Sequence, residues 1–142
     1  MGFGYRAMTE TDYDAAYALW ASTPGMGLSD ADSHEAICSY LKRNAGLSQV
    51  CVDGEGRLAG TALCGHDGRR GFLYHVAVPA DRQGSGIGRE LAARCLAGLA
   101  AQGISKCHLM VLEDNEAGSG FWNGTGWEQR EGLLLFSRNT AI

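Results

Sequence analysis

Residues 74–96 read YHVAVPADRQGSGIGRELAARCL, and the change of texture inside this stretch governs the reading of the whole chain. A β-prone run, FLYHVAV, stops at Val78-Pro79. From Ile87 onward, apolar residues return every fourth position as Ile87, Leu91, Cys95 and Leu99, with Ala92 and Leu96 beside them. Arg89, Glu90, Arg94 and Gln102 take the polar positions, so the spacing predicts an amphipathic helix of about four turns. Gly84, Gly86 and Gly88 stand between strand and helix. The first turn of a helix leaves its amides unpaired at the positive end of the dipole, and glycine puts no Cβ between those amides and an anion. The stretch therefore has the make-up of a phosphate cradle, although a tight strand-to-helix turn would use the same glycines with no ligand.

Towards the N-terminus, GYRAMT reads as a first strand. Thr9 or Thr11 is placed to cap the helix DYDAAYALWAS. A Gly/Pro/Ser/Asp loop follows, and Asp32 with Glu35 reads as a capping box for a second helix through Lys42. DGEG and HDGRRG then separate three β-prone runs, LSQVCV, LAGTALCGH and FLYHVAV, as two Asp-Gly hairpins. Towards the C-terminus, Gly103 is a C-cap candidate. KCHLMVL reads as a fifth strand, parallel to the fourth because a helix joins them. AGSGFWNGTG reads as a short helix, and WEQRE with LLLFSR as a closing hairpin. The expected order is β-α-α-β-β-β-α-β-α-β-β: an α+β fold whose mixed sheet carries helices on both faces (αβα), in one domain spanning 1–142.

Composition removes several classes of function. The 142 residues carry a formal charge of −4 and contain no block of Lys and Arg, so a nucleic-acid groove is not expected. No apolar run approaches the roughly 20 residues that cross a bilayer, and no membrane role is expected. The five cysteines are scattered without CxxC spacing. That pattern points to reduced thiols in a cytoplasmic protein and to no metal site.

Three phosphate loops compete for QGSGIG. A nucleotide P-loop needs Gly-Lys-Ser/Thr, and Gly88 is followed here by Arg89 and Glu90. A dinucleotide fingerprint starting at Gly84 needs Gly or Ala where Arg89 stands, and it opens an alternating βαβ unit rather than following a meander. The third, Gln83 to Gly88, resembles the Q/R-x-x-G-x-G/A signature of the GNAT superfamily of acetyl-CoA-dependent N-acyltransferases. Residues 74–96 are similar to that family's fourth strand, pyrophosphate loop and third helix. VLEDNEAGSGFWNGTGW, residues 111–127, resembles its fifth-strand end and following helix. The expected element order is also that of the family, so the resemblance covers nearly the whole chain.

The resemblance implies acetyl-CoA as cofactor, with its pyrophosphate on the amides of Gln83, Gly84, Ser85, Gly86, Ile87, Gly88 and Arg89. Arg82 and Arg89 would add positive charge. The pantetheine arm would pair with Val76, Ala77 and Val78, and an amide near Val76 would polarise the thioester. Asn115 matches the family's Asn after the fifth strand, where the side chain contacts the cofactor; a helix cap is its plain structural role. One departure concerns proton transfer. The family's Tyr acid would fall at Trp122, in the cofactor-contacting segment, and indole is no useful proton donor. A thiol with a pKa near 8.5 leaves tolerably unaided, whereas a Lys-like amine is only about 0.04% neutral at pH 7, a cost of roughly 4.6 kcal/mol before attack. A base or a desolvating pocket therefore matters more than the missing acid.

Strand alternation puts Phe72, Tyr74, Val76 and Val78 on one face of the fourth strand, and His75 with Ala77 on the other. Members of the family that place a Glu or His base on this strand do so on the face of Phe72 and Tyr74, so the resemblance makes Tyr74 a candidate acid or water-holding group; Glu113, beside Asp114 and Asn115, is a candidate base through water. In this family the segment between the first two helices commonly covers the acceptor. Here it is residues 20–33, with Trp20, Met26 and Leu28 as apolar lining and Asp30 or Asp32 as amine attractors, and the HDGRRG turn could border the same pocket; helix capping for the two acids, core packing for Trp20 and a simple hairpin for HDGRRG are their plain structural roles. The resemblance thus implies an N-acetyltransferase acting on a small amine, an amino acid or a peptide N-terminus by direct attack, with a homodimer as one open arrangement. The alternative is a non-catalytic acyl-CoA-binding module, motivated by Trp122 and the absence of an obvious base.

Overall fold

The computed structural model describes residues 2–141. Its contacts divide the chain after Met110 into two compact units, each taken by itself. The first contains β1 (Gly4–Ala7), α1 (Tyr13–Ala21), α2 (His34–Arg43), β2 (Gln49–Val52), β3 (Leu58–His66), β4 (Gly71–Ala77), α3 (Ile87–Ala101) and β5 (Cys107–His108). The sheet runs β1-β2-β3-β4-β5, antiparallel through β4 and parallel between β4 and β5. The second unit contains α4 (Glu116–Gly124) and irregular chain after it.

Both Asp-Gly turns form as their chemistry demands. The Asp53 carboxylate accepts the Glu55 and Arg57 amides at 2.9 Å, and the Asp67 carboxylate accepts those of Arg69 and Arg70 at 2.8 Å. Each acid folds the backbone back on itself two residues on, which sets the reversal between strands.

Alternation along β3 builds a layer on each face. Gly60 and Cys64 turn toward α3, where an added Cβ at Gly60 would stand 2.8 Å from Ile87 and 3.0 Å from Leu91. Thr61 and Leu63 turn the other way, toward Trp20 of α1 and a core that includes Met8, Ala16, Ile37 and Val50. The fourfold repeat of α3 is buried as its spacing predicts, with Ile87, Leu91, Cys95 and Leu99 all 0–1% exposed. Leu96 points away and is 39% exposed. Gly103, at φ 83°, ends the helix; its amide and that of Ile104 reach back to Ala100 and Leu99.

Alternation fails in β4. Leu63 faces Tyr74 and Thr61 faces Ala77, so two steps along β3 span three along β4. The extra residue is a β-bulge, and His75 within it has φ 49°. Residues after a bulge change face: His75 and Ala77 lie together as expected, beside Trp20, with the His75 and Trp20 rings 4.6 Å apart, but Ala77 opposite Thr61 and Tyr74 opposite Leu63 share one face, which corrects the expected separation of Tyr74 from Ala77.

Three further expectations give way. KCHLMVL pairs only through Cys107 and His108, opposite Gly71 and Phe72, because β4 departs from regular geometry just beyond. WEQRE and LLLFSR form no strands, so the expected closing hairpin is missing from the element order. A run such as Leu133–Phe136, 69–87% exposed, has no polar alternation to set a register. The capping box is Ser29 with Asp32, one turn before the expected Asp32–Glu35, and Ser33 caps α2 by accepting the Ala36 amide at 3.1 Å.

Candidate active site

The chain leaves β4 through a loop that its own side chains hold in shape. The Gln83 amide donates to the Val78 carbonyl at 3.1 Å, and the Ser85 hydroxyl donates to the Arg82 carbonyl at 2.5 Å. Arg82 donates to Asp53 at 2.9 Å and lies over the Phe3 ring, 5.5 Å from its centre. The Arg57 amide first, then the Glu55 amide and the Arg82 and Arg57 side chains, hold the Asp53 carboxyl well below the usual carboxylate range against the opposing effect of burial. Arg82 thus ties the loop to the β2–β3 turn. Arg89 is exposed in the first turn of α3 and enters none of the ion pairs among the described residues.

Gly84 and Gly86 have φ 84° and 86°, which a side chain would strain, and a Cβ added at either would meet nothing within 4 Å. The glycines serve the backbone turn, and the space before them is open. The first bond of α3 runs from the Glu90 amide to the Gly86 carbonyl at 3.0 Å. The Ile87, Gly88 and Arg89 amides therefore have no carbonyl within the helix, and no side chain caps that end. These donors lie at the positive end of a 15-residue helix, where an anionic oxygen is favoured.

Beside it, β4 has an open edge. Pairing with β5 stops at Phe72, so among the described residues no strand bonds the outer side of Tyr74–Ala77. An extended ligand can add there as a strand does. Tyr74 is 39% exposed and stacks on Phe72 with ring centres 6.3 Å apart. A cleft of about 200 Å³ adjoins it, lined by Tyr40, Asn44, His66, Asp67, Phe72 and Tyr74. The HDGRRG turn borders this cleft. A second hollow of about 260 Å³, between α3 and Ile104–Cys107, shares no residue with the loop or with Tyr74–Val78.

On the expected acceptor side, Trp20 is fully buried core and lines neither of these hollows. Its indole donates to Thr61 at 2.9 Å, and Thr61 in turn donates to the His75 carbonyl at 2.8 Å. Met26 and Leu28 are half-buried against that core. Asp32 is committed: it accepts the Ser29 amide at 2.9 Å and His75 Nε2 at 2.6 Å. Asp30 is exposed.

Glu113, Asn115 and Trp122 belong to the second unit. Glu113 is exposed. Asn115 caps α4 by accepting the Gly118 amide at 2.9 Å, and lies so close to Gly118 that a Cβ there would stand 2.7 Å from the Asn115 amide nitrogen. Trp122 packs edge-on against Phe121 and Trp127. Sequence reasoning missed the bulge, the Asp32–His75 pair and the Arg82–Asp53 tie. The HVAV run offered no signal for the bulge, whose partners lie 14 and 43 residues away.

An open strand edge, a glycine turn and an uncapped helix end thus follow one another in continuous sequence, an arrangement able to take an extended ligand that carries an anionic group. The profile of the Acetyltransferase (GNAT) family matches residues 13–127, and an acetyltransferase of Pectobacterium atrosepticum is 37% identical over 133 residues, covering 94% of this chain and 93% of its own. The chain belongs to the GNAT acetyltransferase family, whose acetyl donor is acetyl-CoA. Among solved structures it is similar to AAC(6')-Iy bound to the bisubstrate analogue CoA-S-monomethyl-acetylneamine, with TM-score 0.77 at 17% identity over 98% of this chain and 99% of that one. It is also similar to the PaiA N-acetyltransferase of Thermoplasma acidophilum in complex with coenzyme A, with TM-score 0.75 at 17% identity over 89% of each chain. These structural likenesses extend the fold assignment. Among the described residues no helix is long and apolar enough to cross a membrane.

Proposed function

We propose that this protein is an N-acetyltransferase that passes the acetyl group of acetyl-CoA directly to a primary amine in a ternary complex. The observation that carries the reading is the junction at Tyr74–Arg89, where an open strand edge runs straight into free helix amides. In this reading the amides of Gln83 to Arg89 hold the pyrophosphate, with Arg89 adding charge. Val76, Ala77 and Val78 offer backbone groups to the pantetheine arm. Acetyl-CoA, when bound, supplies an electrophilic thioester carbonyl and a thiol leaving group. The Val76 amide is the donor for the oxygen that gains charge, a contribution of about 3–4 kcal/mol in comparable sites. Tyr74 holds a water or a proton at its hydroxyl, and Glu113 takes the amine proton through water. The family resemblance adds Asn115 and Trp122 as cofactor contacts, with 1–142 as a single domain; the family match spans residues 13–127.

Direct transfer is favoured because no cysteine is poised as a nucleophile. Burial pushes the Cys38 and Cys51 thiols up and takes Cys107 to about 12. All five thiols are free, in keeping with a reducing cytoplasm. Residues 7–41 contain six carboxylates and no Lys or Arg; Asp12 and Asp32 are already paired, and the exposed Glu10, Asp14, Asp30 and Glu35 favour a cationic amine as acceptor.

A panel of amines offered with acetyl-CoA, read by released thiol, is expected to give turnover. Tight CoA binding with no turnover on any amine would instead support the binding-module reading, and failure to bind acetyl-CoA by calorimetry would defeat both. Gly86→Glu puts a side chain and a negative charge before the free amides and should abolish binding; unchanged affinity would show that the loop is not the site.

A further inference from the structure

His75 is the described non-glycine residue with positive φ, at 49°, and it occupies the bulge of the strand that meets the cofactor. Such a conformation is strained for a side chain with a Cβ and persists only where surrounding groups impose it. Here they hold both ends of the residue. Its carbonyl accepts the Thr61 hydroxyl at 2.8 Å, and Thr61 is itself fixed by the Trp20 indole at 2.9 Å. Its ring lies 4.6 Å from the Trp20 ring and donates from Nε2 to the Asp32 carboxylate at 2.6 Å, with both side chains about nine-tenths buried. A carboxylate only accepts, so this bond sets the tautomer, with the proton on Nε2. Asp32 cannot follow a moving ring, because Ser29 donates to its second carboxylate oxygen at 2.9 Å and the Tyr13 hydroxyl donates to its carbonyl at 2.6 Å.

We propose that Asp32 and His75 are positioning residues for acetyl transfer: their bond locks the β4 bulge to the α1–α2 connection and so sets the direction of the Val76–Val78 backbone groups. This rests on the proposed docking of acetyl-CoA along β4. Without the lock, β4 can slide toward regular pairing, and a slip of one residue turns every following group to the opposite side. The acceptor-side segment and the donor-side strand are thereby fixed by one shared contact.

The test is a cycle of His75→Ala, Asp32→Ala and the double variant, with CoA affinity read by calorimetry and folding checked by thermal melting. Each single change should weaken CoA binding about tenfold, and the double should lose no more than either alone. His75→Gln, whose amide can still donate to Asp32, should return affinity to within about twofold of the parent. In the unliganded protein, the amides of residues 75–77 should exchange at least about tenfold faster in both single variants. Asp32 lies outside the sheet, so Asp32→Ala carries the test if His75→Ala fails to fold. Parent-like affinity in Asp32→Ala, or losses that simply add, would overturn the lock while leaving the docking site standing. No CoA binding by the parent would remove the docking reading, and the lock with it.

Discussion

Asp12 shows how a single side chain is committed before any ligand arrives. It is nearly buried and receives two bonds from Arg6 at 2.8 Å and one from the Thr9 amide at 2.9 Å. Burial pushes its pKa up, but the Arg6 and Thr9 bonds together pull harder, and the carboxyl ends below its ordinary value. The folded value is the lower one, so the stability is present above an unfolded value near 3.9 and is lost as pH falls through the folded value. Asp12→Asn should cost about 1–2 kcal/mol at pH 7 and much less at pH 3. Urea unfolding at the two pH values measures it, and an equal cost at both would mean that charge is not what Asp12 contributes. Residue-level legibility followed distance along the chain. Thr9, Gly84 and Gly86 could be read from neighbours within four positions, and so could a capping role for Asp32, whereas its second partner, His75, lies 43 residues on and leaves no local sign.

The α3 helix rests on a floor of glycine, which makes its seat sensitive to one methyl group. A Cβ at Gly60 would stand 2.8 Å from Ile87 Cγ2, and one at Gly71 only 2.5 Å from Leu99 Cδ1. Gly60→Ala is expected to destabilise by about 1–3 kcal/mol in chemical denaturation, since a packed interface yields only by shifting the helix. In an Ile87→Ala background, which lacks Cγ2, that cost should shrink; an undiminished cost would place the strain elsewhere. The helix itself was legible because its fourfold spacing is local and strong. The fifth strand was legible in place and direction but not in length, and the closing hairpin not at all, because strand formation needs a partner in register and neither LMVL nor LLLF has one.

Across the whole molecule, four of the five thiols are buried and Cys107 is half-buried. Burial takes Cys107 to about 12, and the neighbouring Cys64 thiol, then burial, pushes Cys95 up. The folded protein should therefore react slowly with a thiol reagent at pH 8 and release all five equivalents at once on denaturation; fast reaction of the native state would contradict the packing. Saturation with CoA at a hundredfold its dissociation constant should stabilise the fold by about 2.7 kcal/mol, visible as a raised Tm, if CoA binds the folded state alone. The sequence by itself determined the Asp-Gly reversals, the α3 helix, the glycine loop and through them the family and its acetyl donor. All of these rest on backbone preferences and contacts within a few residues. Only the tertiary structure decided which way β4 points after His75, and which of the acids and arginines are already spent. A bulge and an ion pair are settled by groups that meet only once the sheet and helices have packed.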